Sequence, residues 1–185
     1  MAAARARPAN ARVGLFAASL ESYVKFTDDD SFNPRDRLMH ENLAAALGTL
    51  PSHTKTVVWT ANVHASRIPH DGAKPAASYF DSADRKSIKS IGIVAASGAY
   101  GRQGRKPTPL QPASPGSLEG MAPAADGAES NYLSARQLPA YNKLPSRLLG
   151  YGGYRSGEWS QLFDGVIILK RERPPDFVRP PKPRA

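Results

Sequence analysis

Four short apolar runs, each set apart from the next by a long connection, limit what this chain can fold into more than any other feature. Residues 55–60 (KTVVWT) are β-branched and aromatic, and 89–98 (KSIGIVAASG) are apolar up to a closing glycine. Residues 130–135 (SNYLSA) form a weaker run, and 163–170 (FDGVIILK) are apolar after Gly165. Short apolar runs bounded by turn residues read as buried strands, because β-branched and aromatic side chains fit the pleated surface of a sheet. Strands joined by helices or long crossovers pair in parallel and are covered on both faces. The expected fold class is α/β, with a mainly parallel sheet of about four strands covered by helices. That is few strands for a doubly wound domain, so the domain reads as incomplete.

Helical patterns fill the connections. From Val13 to Phe26, apolar Phe16, Leu20 and Tyr23 recur at helical spacing until the run TDDD at 27–30. A second helix is expected over 34–48: Asn33 suits an N-cap, Pro34 suits the first helical position, and Asp36 complements the positive helix end. Its inward stripe would be Met39, Leu43, Ala46 and Leu50, with Gly48 near the C-terminus. A short helix fits residues 73–80. Residues 101–128 are dense in Pro, Gly, Ser and Ala and read mostly as loop, with a weak helix near Ser117.

Charge and composition exclude several classes of function. With no cysteine among 185 residues there is no disulfide framework, thiolate metal site or cysteine nucleophile. The formal net charge of +9 is concentrated at the ends. Arg5, Arg7 and Arg12 stand without acid at the start, and six basic residues oppose Glu172 and Asp176 from Lys170 to Ala185. The near-neutral middle has no basic helix with interleaved aromatics, so no specific nucleic-acid partner is expected. No apolar run approaches the roughly 20 residues of a membrane span, and a cytoplasmic protein with no membrane partner is expected. Residues 1–12 read as a disordered basic start, 13–170 as the α/β domain, and 171–185 as a disordered Pro-rich basic tail.

Common catalytic signatures are missing. SGAYGRQGRK at 97–106 follows a strand and is basic, but it lacks the phosphate-loop spacing and Pro107 stands where a helix would start, so it reads as a surface turn. No G-x-S-x-G elbow occurs. The histidines His40, His53, His64 and His70 show no metal-site spacing, and neither a metal nor a cofactor is expected. What remains is NPRDRLMHEN at 33–42 ahead of VVWTANVH at 57–64. Arg35 and Asp36 fall in the first turn of their helix, and Asn62 and His64 fall just beyond the carboxyl end of the strand, where open α/β sheets bind ligands. A guanidinium and an imidazole at neighbouring element ends suit an anionic or polarised carbonyl oxygen. The same residues also fit a helix-end ion pair and a loop histidine bonded to backbone.

These residues carry a family resemblance. Arg35, Asp36, Met39 and Asn42 on a helix, followed by a Val-Val-Trp strand with Asn62 and His64 beyond it, resemble the second half of the erythromycin esterase family. SIGIVAASGAYG, SPGSLEG and FDGVIIL resemble later segments of that family in order, over roughly residues 13–172. The chain departs from it at Ala61, where the family carries the first histidine of His-Asn-x-His, and at Ser134, where it carries an acid. The family's general-base segment, Gly-Glu-x-x-His, does not occur. The resemblance implies the carboxyl-terminal half of a metal-independent carboxylic ester hydrolase acting on a small-molecule ester. It implies catalytic roles for Arg35, which would orient substrate or stabilise an oxyanion, and for His64, its hydrogen-bonding neighbour. Asp36 and Asn62 would bind substrate. Without its base this half is expected to be nearly inactive; a non-enzymatic α/β domain whose basic tail docks an acidic partner is the alternative.

Overall fold

The computed structural model describes residues 32–81, 84–101 and 106–174, together with Gly14, Ala17, Leu20, Glu21 and Val24, all five helical. Phe16 and Tyr23 of the expected first helix lie outside the described residues, as do 1–12 and 175–185. The chain forms two compact units, one of residues 1–90 with 161–163, the other of the remainder.

The first unit contains α1 (Phe32–Leu47), α2 (Asn62–Ala65) and 3₁₀ turns at Ala76–Tyr79 and Asp84–Lys86. Helix α1 begins before Asn33, so Asn33 is not its cap. Its side-chain oxygen instead accepts from the Lys74 N–H (2.7 Å) and its amide nitrogen donates to the Gly72 carbonyl (3.4 Å), tying the helix start to a distant loop. That loop is a tight turn in which His70 and Ala73 pair across Asp71 and Gly72, both at positive φ (49° and 76°). Such a turn needs φ > 0 at its two central residues, which Gly and Asp tolerate best. Of the expected stripe, Met39, Leu43 and Ala46 are half-buried and Leu50 is exposed, while among the described side chains of α1 Asp36 and Leu38 are the buried ones.

Residues 55–60 correct the sequence reading. They form no strand, and among the described residues no backbone hydrogen bond engages them. Val57 is 90 % exposed and Trp59 84 %. Strand propensity expresses packing against neighbouring strands more than an intrinsic backbone preference. The first unit offers no strand among its described residues to pair with.

The second unit holds β1 (Ile91–Ala95), β2 (Gly98–Tyr100), β3 (Thr108–Leu110), α3 (Leu118–Met121), β4 (Ser130–Ser134), β5 (Pro145–Ser146), β6 (Arg155–Ser156) and β7 (Gly165–Leu169). The three-stranded sheet runs β1-β7-β4, with β1 parallel and β4 antiparallel to β7. The sheet is therefore mixed and three-stranded, not mainly parallel with four strands. The reason is visible in β4, where Leu133 is buried (2 %) and Tyr132 is 51 % exposed: alternation of this kind marks a half-solvated antiparallel edge. Central β7 is apolar throughout, with Val166 and Ile168 fully buried beside Val94 and Ala95 of β1. Within 101–128, expected mostly as loop, β3 pairs antiparallel with β2, and the Ser117 hydroxyl caps α3 by accepting from Gly120 N–H (3.1 Å).

Gly98 sits at φ +116°, bridged to Glu172, whose backbone leaves no room for a Cβ. Glu172 N–H donates to Ser97 O (2.8 Å) and its carbonyl accepts from Ala99 N–H (3.1 Å). The chain thus stays bonded past residue 171, where a disordered tail was expected to begin.

Candidate active site

Helix α2 is a single turn entered from extended Ala61 (φ −69°, ψ 147°), whose carbonyl accepts from the N–H groups of His64 (2.9 Å) and Ala65 (3.2 Å). That turn places the His64 ring against α1. His64 Nδ1 lies 2.9 Å and 3.0 Å from the two carboxylate oxygens of Asp36, and Asp36 Oδ1 also accepts from the Ala76 N–H at 2.6 Å. Asp36 is fully buried and His64 is 8 % exposed. A buried carboxylate persists as an ion when its oxygens take N–H groups. A carboxylate at Nδ1 holds the proton on that nitrogen, fixes the ring orientation and leaves Nε2 as the basic ring nitrogen.

Of the four residues read from the sequence, the structure brings Asp36 and His64 into direct contact. Arg35 is exposed, one residue before Asp36 on α1, and Asn62 is half-buried as the first residue of α2. Asp36 reaches no surface of its own, because its carboxylate lies beneath the imidazole.

Sequence reasoning missed the bonds that support this pair. Buried Ser66, just past α2, lies with Oγ 2.9 Å from His70 Nε2, and the Ser90 hydroxyl donates to Ala65 O (2.5 Å). Arg67 N–H donates to Leu162 O (3.0 Å). With Asn33 on Gly72 and Lys74, and Asp36 on Ala76, both α1 and the residue after α2 are hydrogen-bonded to the 70–76 loop. The one sequence signal for this was the Asp-Gly turn at 71–72. His40, on α1, meets Phe80 edge-on at 4.5 Å between centroids, and burial lowers its pKa from the ordinary histidine value.

The second unit has a separate polar cluster that the sequence did not reveal. Glu119 is fully buried, and its Oε1 accepts from the Ser146 hydroxyl (3.0 Å) and the Arg147 N–H (2.7 Å). Arg147, 5 % exposed, donates through its guanidinium to Gln111 O (2.7 Å), Ala95 O (3.1 Å) and Ala96 O (3.3 Å). Among the described residues no three His, Asp or Glu side chains are grouped to hold a metal ion, and no helix is long and apolar enough to cross a membrane.

In fold, the chain is similar to a solved mutant of the erythromycin esterase EreC in its open conformation, with a TM-score of 0.53 and 14 % identity. The match covers 84 % of this chain and 42 % of that one, so the chain spans well under half the length of the solved esterase. No curated protein sequence matches it. The sequence model of the erythromycin esterase family matches residues 2–171, nearly the whole chain, and the chain belongs to that family.

Proposed function

We propose that the chain is the carboxyl-terminal half of an erythromycin-esterase-like protein and gives a carboxylate-supported imidazole to metal-independent hydrolysis of a small-molecule carboxylic ester. The observation that supports this most is the buried Asp36–His64 pair, in which both carboxylate oxygens lie within 3.0 Å of Nδ1. In ester hydrolysis a water oxygen bonds to the acyl carbon, the bond to the leaving alcohol breaks, and one proton moves from the water to the leaving oxygen. An imidazole with Nδ1–H anchored by a carboxylate can hydrogen-bond the reacting oxygens through Nε2, while the proton itself passes through the family's separate base. Arg35 orients the substrate or stabilises the oxyanion, and Asn62 contributes a contact from the start of α2. Asp36, expected to bind substrate, acts in this reading through His64.

The water-activating base belongs to the Gly-Glu-x-x-His segment of the family, which this chain does not contain. The chain alone is therefore expected to leave hydrolysis of p-nitrophenyl acetate and of a macrolactone at the buffer rate. Saturable turnover lost in His64→Ala would show that the chain holds complete machinery and would overturn the half-esterase reading. General-base catalysis contributes about 10²- to 10⁴-fold, which sets the sensitivity the assay needs.

A further inference from the structure

Helix α2 is too short to hold itself. Its four residues close one turn, and a single turn fixes more backbone freedom than its few hydrogen bonds return. Its carbonyls need partners beyond the turn, and two serine hydroxyls supply them: Ser90 donates to Ala65 O (2.5 Å) and Ser66 to Val63 O (3.4 Å). Val63 O belongs to the peptide that leads into His64, so Ser66 bears on the residue whose ring faces Asp36. Ser66 Oγ also lies 2.9 Å from His70 Nε2, and His70 opens the turn that Asn33 and Asp36 hold on α1 at residues 72, 74 and 76. Asp36 is therefore reached from α2 by two routes, directly through His64 and indirectly through Ser66, His70 and the loop.

Ser66 and His70, with Asp71 Oδ2 4.0 Å from His70 Nδ1, have the residue types of a serine hydrolase. Ser66 is fully buried, however, and a nucleophile has to be open to its substrate. The hydroxyl serves α2 instead. It has one proton, and a carbonyl can only accept, so Ser66 bonds both neighbours when its own proton goes to Val63 O and His70 Nε2–H donates to Oγ. The Asp71 carboxylate is beyond hydrogen-bond range and its side chain is 55 % exposed, too far and too solvated to dictate the other tautomer. We propose that Ser66 and His70 are positioning residues for His64: with Nε2–H on His70 and Nδ1–H on His64, they fix the turn of α2 so that the imidazole stays on Asp36. The value of that aim for catalysis rests on the ester-hydrolase reading, whereas the placement of the ring does not.

Nitrogen-15 spectra of the chain with labelled histidine, recorded at about pH 8 where ordinary histidines are neutral, read both rings at once. The expected wild-type result is Nδ1–H on His64, Nε2–H on His70, and a His64 Nδ1–H that exchanges slowly with water. Ser66→Ala and His70→Leu should each speed that exchange at least about tenfold. His70→Gln, whose amide can donate to the same oxygen, should keep it slow. A merely structural role would lower the melting temperature of the variants and leave the His64 Nδ1–H as protected as in the wild type, and that result overturns the proposal. An Nδ1–H tautomer at wild-type His70 also overturns it, because the Ser66 proton would then turn to Nε2 and leave Val63 O. If Ser66→Ala does not fold, the two His70 variants decide, since that side chain is 12 % exposed and Ser66 keeps its place in them. A wild-type His64 without Nδ1–H would remove the Asp36–His64 pair and overturn the ester-hydrolase reading as well; the other negative results leave that reading standing.

Discussion

A buried carboxylate is stable in a fold when its charge is matched by donors, and Asp36 meets that condition with His64 on one side and the Ala76 N–H on the other. The sequence placed Asp36 in the first turn of a helix, but which way it points is decided by α2, 28 residues away. Asp36→Asn sharpens the account. An amide has one acceptor oxygen, and if the Ala76 N–H keeps it, the NH₂ group faces the ring and moves the imidazole proton to Nε2. Nitrogen-15 spectra should show His64 protonated at Nδ1 in the wild type and at Nε2 in the variant; an unchanged tautomer would separate the two side chains in solution. His40 carries a pH dependence of known sign. Burial lowers its pKa below the unfolded value of 6.5, so the unfolded chain binds the extra proton first. Its contribution is complete above pH 6.5 and is lost as the pH falls below it. The melting temperature should drop from pH 7 to pH 5, and His40→Gln should flatten that drop.

At the scale of elements, what could be read in the sequence followed from where burial is complete. β7 is apolar at every position and lies between two strands, so its run of GVIIL identified it, and β1 was found for the same reason. The antiparallel direction of β4 was present in the alternation of Tyr132 and Leu133, though only the apolar run was read. Residues 55–60 have the composition of a strand and lack the neighbours that would make them one. Glu119 was invisible as a buried acid, because nothing in SLEG says that Ser146 and Arg147 fold back onto it. Arg147 Nε lies 3.9 Å from Glu119 Oε1, and removing one partner of a buried charged pair costs about 3–5 kcal/mol. Glu119→Ala should therefore lower the stability of the second unit by that amount in denaturant titration, since it strips Arg147 of its carboxylate. A loss under about 1 kcal/mol would mean that the guanidinium is held by its three carbonyls alone.

For the whole molecule, the basic ends account for most of the net charge, and the described part of the carboxyl-terminal one is hydrogen-bonded to the fold. Glu172 is hydrogen-bonded on both sides of its peptide unit, and its carboxylate accepts from the Tyr151 hydroxyl, whose pKa is pushed up by burial and by that bond. Deleting 175–185 should leave the melting temperature unchanged and lower retention on a polyanion column, whereas deleting 171–185 should also lower the melting temperature. Equal melting of the two truncations would show that Glu172 contributes nothing. The central proposal is that the Asp36–His64 pair serves the hydrolysis of a carboxylic ester. Its most direct test is the rate of p-nitrophenyl acetate hydrolysis by the chain joined to the segment encoded upstream of it, with and without His64→Ala. The account predicts turnover in the joined protein and a fall of about 10²- to 10³-fold in the variant, as for loss of one hydrogen-bonding group at the reacting oxygens; equal rates with and without the imidazole would contradict it.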